Sequence, residues 1–252
     1  MTRRFLLLAG LALPLFVLLA HGEPSRKIRL SVYAGDGVTP ACVSGYEKAV
    51  KDDAGIDFAR ITADEIRGGK LSGRDVLIMP GGTASGERKA LGKEGVAAVR
   101  AFIEKGGGYV GFCAGTYLAA PYDPENLCVL DAETIDGDHW ARGVGRVKIR
   151  LTAEARKILG VKDETVEIHY ENGPLLGPGK RPEIPDFTPL AAFETEMRTN
   201  NAPEGIMKGT TAIAAGRFGK GRVLCFSPHP ELTPGLEGMV RRAVRWAAGR
   251  AP

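Results

Sequence analysis

An α/β fold with a mostly parallel central sheet is predicted by three observations. The first half of the chain alternates strand-like and helix-like segments. Its runs 75–79 and 108–112 are apolar without polar alternation, as in strands covered on both faces. The second of these runs passes directly into Gly111-Phe112-Cys113-Ala114-Gly115, a tight strand-to-helix turn.

Residues 27–33 alternate and form the first predicted strand. A loop follows, with Thr39 placed to cap a helix and Pro40 at its first position, and the helix runs to about Lys51. Residues 56–61 are a short strand. The strand 75–79 ends at Pro80-Gly81-Gly82, and helical periodicity spans 86–105 through Leu91, Val96, Val99, Phe102 and Ile103. Beyond the 108–112 strand, segments 126–131, 144–151, 164–170 and 188–194 read as strands, with a Gly- and Pro-rich loop over 173–189. Residues 212–218 and 222–227 form a hairpin turned at Gly219-Lys220-Gly221. The terminal helix, 234–248, exposes Arg241, Arg242 and Arg245 on a solvated face.

Residues 1–22 read as a secretory signal peptide: Arg3-Arg4, an apolar run from Phe5 to Ala20 broken by Pro14, then Ala20-His21-Gly22. An uncleaved anchor is the alternative, disfavoured by Pro14 and by a run short of the roughly 20 residues a span requires. A secreted or periplasmic protein is expected, with residues 23–252 as a single domain and no membrane association after cleavage. That domain carries 32 basic and 30 acidic residues, a balance that gives no support for a nucleic-acid partner. The cysteines Cys42, Cys113, Cys128 and Cys225 show neither Cys-x-x-Cys nor zinc spacing; outside the cytosol a disulfide among Cys42, Cys128 and Cys225 is open. No cofactor or metal is predicted.

The chemistry concentrates at two strand ends. Glycines on both sides of Cys113 allow a turn that pushes its side chain outward, and a helix beginning at Ala114 brings partial positive charge to the sulfur. A buried structural cysteine is the bland alternative. After the last strand comes Ser227-Pro228-His229-Pro230-Glu231, where His229 is a candidate base and Glu231 its orienting acid; a surface loop with a capping Glu is the alternative. Gly81 and Gly82 close a neighbouring strand, and the N–H groups near Gly82 and Ala114 are candidate oxyanion donors. His169 and Tyr170 are candidate pocket residues, and Asp136-Gly137-Asp138-His139-Trp140 reads as a polar turn.

Together these residues resemble the class I glutamine amidotransferase-like superfamily. More narrowly, they resemble the family named for the N-terminal domain of eukaryotic biotin-protein ligase. The matching pieces are Tyr33 to Pro40, Met79 to Gly82, Gly111 to Tyr117, His169 to Pro174 and His229-Pro230-Glu231. The resemblance implies a flavodoxin-like three-layer sandwich and a Cys113–His229–Glu231 triad. It does not imply biotin ligation. Glutamine-hydrolysing members continue the turn with Gly-His-Gln, whereas Gly115-Thr116-Tyr117 stands here, so glutaminase activity is not expected. The expectation is a cysteine-dependent, amidohydrolase-like protein acting on a small-molecule or peptide amide or ester. The rival expectation is a secreted ligand-binding domain that keeps the pocket without turnover.

Overall fold

A computed structural model describes residues 26–250. The predicted signal peptide therefore lies outside the described residues. The elements in chain order are β1 (Ile28–Tyr33), α1 (Pro40–Val50), β2 (Ile56–Ile61), α2 (Ala63–Arg67), β3 (Val76–Met79), α3 (Ala84–Glu104), β4 (Gly108–Phe112) and α4 (Ala114–Ala119). They continue with β5 (Ala132–Ile135), β6 (Val144–Leu151), α5 (Ala153–Leu159), β7 (Thr165–Glu171), β8 (Leu175–Pro178), β9 (Thr188–Phe193), β10 (Thr211–Phe218), β11 (Gly221–Phe226) and α6 (Gly238–Ala247).

The strands form one mixed sheet in the order β2-β1-β3-β4-β11-β10-β9-β6-β7, with β5 and β8 off this path. From β2 to β11 all neighbours are parallel; from β11 to β7 they are antiparallel. The two-residue period of a strand divides the apolar runs between two cores. Val76 and Ile78 of β3, Val110 and Phe112 of β4, and Leu224 and Phe226 of β11 pack with α1, α5 and α6. Leu77 and Met79, Tyr109, and Val223 and Cys225 pack with α2, α3 and α4. This makes three layers, helix–sheet–helix, with the central strands covered on both faces as their unbroken apolar character predicts.

The differences from the sequence reading have local causes. α2 was not anticipated, although Thr62 and Glu65 form a full capping box in which each side chain takes the other's backbone N–H. α5 was missed too; Thr152 accepts from Ala155 N and Gly160 ends the helix in the left-handed region. Residues 126–131 are not a strand. Leu127 and Val129 are buried, but their N–H groups bond to the Leu118 and Ala119 carbonyls at the end of α4, and Cys128 sits at φ 47°. The strand comes afterwards, as β5, and pairs with β8 inside the segment expected to be a loop. The arginines of α6 are not a solvated face. Arg241 donates to the Ala49 carbonyl at 2.6 Å, and Arg245 bonds Asp53 at 2.6 and 2.7 Å, tying α6 to α1 and the turn after it. No helix among the described residues is long and apolar enough to cross a membrane.

Candidate active site

β4 and β11 are parallel neighbours, so their carboxyl ends open at the same edge of the sheet. Cys113 leaves β4 with φ 48° and ψ −102°, a conformation that L-residues rarely adopt and that persists only where the surroundings impose it. The surroundings are visible. Cys113 N donates to Phe226 O at 2.8 Å, and Thr116 Oγ1 donates to the same carbonyl at 2.7 Å. α4 also folds back so closely that a Cβ on Gly115 would lie 2.1 Å from the Met79 carbonyl oxygen. Only glycine lets the helix approach β3 in this way.

His229 is set by the end of β11. Its N–H donates to His169 O at 2.8 Å, and its carbonyl accepts from Thr233 Oγ1 at 2.7 Å. The ring is buried, and its Nδ1 is 2.7 Å from Glu231 Oε1. Tyr46 of α1 donates to the same carboxylate oxygen at 2.9 Å. Burial works against a charged imidazole. The Glu231 carboxylate, helped by the neighbouring Cys113 and Cys42 thiols, outweighs it and holds the His229 pKa well above the ordinary histidine range. The approach to Cys113 is loose: His229 Nε2 has no partner at full hydrogen-bond geometry, while Cys113 Sγ donates to the Glu171 carbonyl at 3.2 Å. Interaction with the thiol nonetheless contributes to raising the ring's basicity.

Cys113, His229 and Gly82 share a cavity of about 340 Å³ with Thr39, Cys42, Tyr117 and Asn172. A Cβ on Gly81 would lie 2.6 Å from His229 Cε1, so a bare backbone there makes room for the imidazole. Among the described residues the N–H groups of Gly82 and Ala114 donate to no protein acceptor. His169 and Tyr170 lie off the cavity wall. Tyr170 is fully buried and donates to Gly173 O at 2.8 Å, His169 sits 3.7 Å from Glu171 Oε2, and the following residues, Glu171 and Asn172, line the cavity instead.

Sequence reasoning missed Cys42, Tyr46 and Glu87. Cys42 Sγ lies 3.9 Å from His229 Nδ1, and burial pushes its thiol pKa up. Glu87 in the first turn of α3 is fully buried, neither oxygen has a hydrogen-bond partner, and burial followed by the proximity of Cys113 drives its pKa well above the carboxylate range. None of the three lies in a recognisable motif; only contacts across the fold bring them here. The four cysteines are free and buried, so the described residues contain no disulfide.

Ligand atoms of Cys42, His229 and Glu231 lie within 4.8 Å of one another, a spacing compatible with a metal ion. Nδ1 bonds Glu231 Oε1 and that oxygen also accepts from Tyr46, while His229 Nε2 and Glu231 Oε2 have no hydrogen-bond partner. His229 and Glu231 are thus already paired as an imidazole–carboxylate dyad through one atom of each.

A cysteine on a strained strand-to-helix turn, facing a His–Glu pair at the next strand end, stands on the fold of class I glutamine amidotransferase-like proteins. The glutamine amidotransferase of Thermotoga maritima superposes with a TM-score of 0.60 at 13% identity, covering 88% of this chain and 99% of that one. A protein described as ThuA-like from Parabacteroides merdae gives 0.61 at 11% identity, over 90% and 92%. Another, from Bacteroides uniformis, gives 0.59 at 15%, over 90% and 94%. These identities speak to the fold alone. Within the chain, residues 28–122 match the family described as "Biotin-protein ligase, N terminal". No curated protein sequence matches the chain.

Proposed function

We propose that this chain is an exported cysteine-dependent hydrolase that cleaves an amide or ester in a small molecule or peptide. The observation that carries the proposal is the backbone of Cys113 at φ 48° and ψ −102°, strain held at a thiol that shares a cavity with His229 of a buried His–Glu pair, whereas Cys42 in the same cavity sits in regular helix. In the proposed reaction the Cys113 proton passes to His229 Nε2, and Glu231 stabilises the imidazolium through Nδ1. The thiolate attacks the carbonyl carbon, and the N–H groups of Gly82 and Ala114 hold the oxyanion. The imidazolium then protonates the leaving amine or alcohol as its bond to carbon breaks. Water attacks the thioester, gives a proton to His229 and releases the acid, and the proton returns to sulfur. Export rests on the basic–apolar–small order of residues 1–22.

A non-catalytic binding domain is the second reading, supported by the thiol's bond to the Glu171 carbonyl in place of Nε2. The deciding experiment is hydrolysis of amide and ester panels by wild type and Cys113→Ala, with the pH dependence of Cys113 alkylation in wild type, His229→Ala and Glu231→Gln. The hydrolase reading expects Cys113-dependent turnover and alkylation curves that move to higher pH in both base-pair variants. Coincident curves with no turnover leave the binding domain.

A further inference from the structure

Three aromatic side chains border the cavity over Cys113: Tyr117 of α4, Tyr122 beyond it, and Trp140 after the short 3₁₀ turn 137–139. Tyr122 and Trp140 are 54% and 53% exposed, unusual for rings of this size. Tyr117 and Tyr122 meet edge to face at 5.8 Å, and Tyr122 lies so close to the turn carrying Trp140 that a Cβ on Gly137 would be 2.7 Å from its ring.

The turn is firmly fixed. The Asp136 carboxylate accepts from Arg142 at 2.7 Å and bonds His139 Nδ1 at 2.6 Å, and Arg142 also donates to the Asp136 carbonyl at 2.6 Å. Arg142 is 1% exposed, so a fully desolvated cation is committed to holding this loop. Gly143 N donates to Asn172 Oδ1 at 2.8 Å, joining the loop to the segment whose Glu171 carbonyl accepts from Cys113. A rigid loop that leaves an indole uncovered at a cavity mouth offers a pre-organised surface to a ring, with little entropy left to lose. The neighbouring cation Arg88 is already engaged by Asp123 at 3.0 Å and by Glu125, so it leaves no free positive charge for an anionic ligand.

We infer that Trp140 and Tyr122 form a ring-stacking subsite beside Cys113, which selects neutral amides or esters bearing an aromatic or heteroaromatic ring a short linker, about two carbons, from the scissile carbonyl. This rests on the hydrolase reading for its chemistry, but binding can be read without turnover. The test pairs methyl 3-phenylpropanoate with methyl butanoate and the cyclohexyl analogue of the former, on wild type, Trp140→Ala and Trp140→Leu. It also includes a fluorescence titration of Cys113→Ala with 3-phenylpropanamide, using Trp140→Phe in the same background to isolate the signal of Trp246. Wild type is expected to favour the phenyl ester in kcat/KM over both others. Both Trp140 substitutions should lower phenyl-ester turnover about five- to ten-fold more than butanoate turnover, mainly through KM. The titration should quench Trp140 alone. Quenching without turnover of any ester keeps the subsite and removes the hydrolase. Turnover with no ring preference, equal losses on all three esters, or quenching that persists in Trp140→Phe overturns the subsite.

Discussion

The parallel and antiparallel halves of the sheet do different work. The parallel half, β2 to β11, carries Cys113 and leads to His229, and it contains the whole of the 28–122 family match. Its side chains at the site are positioned by backbone: a strained turn, a strand-to-strand hydrogen bond, glycines in close contact. The antiparallel half and the excursions around it supply Glu171, Asn172 and Trp140, held by side-chain bonds such as Asp136–Arg142 and Asn172–Gly143. Cys113 and His229 are thus fixed by the regular scaffold, while much of the facing cavity wall comes from irregular segments held by side-chain bonds.

The sharpest way to break this contrast is to remove the Cys113 thiol. Cys113→Ala should reduce turnover by about 10³-fold or more while leaving the melting temperature close to wild type, measured by ester hydrolysis and circular dichroism. A matching loss of fold would mean that the thiol is a packing element. Next, Gly115→Ala should destabilise the domain by about 3 kcal/mol in urea unfolding, because its Cβ meets the Met79 carbonyl at 2.1 Å. A comparable substitution at exposed Gly205, beside which nothing lies within 4 Å, meets only its φ of 79° and should cost about 1 kcal/mol.

Glu231→Gln should cost about 10²-fold in turnover and move the Cys113 alkylation curve to higher pH. It also has a signature in stability. The folded-state pKa of His229 is raised, so the charged ring's contribution is full below the unfolded value of about 6.5 and is lost as pH rises through the higher folded value. The stability gap between wild type and Glu231→Gln should therefore be widest just below about pH 6.5 and narrow as pH rises, which denaturant melts at several pH values can follow. Cys225 provides an internal control. Burial raises its thiol pKa to about 12, so alkylation of the folded protein in the neutral range should leave it unmodified in every variant. The smallest effect belongs to Tyr46→Phe, which removes one donor to Glu231 and should cost about 1 kcal/mol of stability with a few-fold loss of turnover.

Much of the parallel half was legible because its signals are local. Alternation marks β1, apolar runs bounded by turn residues mark β3 and β4 within a residue or two, and Gly-x-Cys-x-Gly marks the turn. In the other half the same kind of reading failed at 126–131. Buried apolar residues look like a strand there, but their amides had already been taken by the end of α4. The capping box of α2 at Thr62-Glu65 and the Thr152 cap of α5 stand in the sequence, but these helices are only five and seven residues long, too short for a helical period to show.

The sequence alone carried the α/β class with its largely parallel sheet and singled out Cys113, His229 and Glu231 as candidates, because strand period, glycine placement and residue type are properties of adjacent positions. Only the tertiary structure decided which groups surround them. Tyr46 reaches Glu231 across 185 positions and Cys42 reaches His229 across 187, while Glu87 becomes an unpartnered carboxyl beneath the turn. Distances of that kind are set by how helices dock on the two faces of the sheet, and dense packing fixes them only when the whole chain has folded.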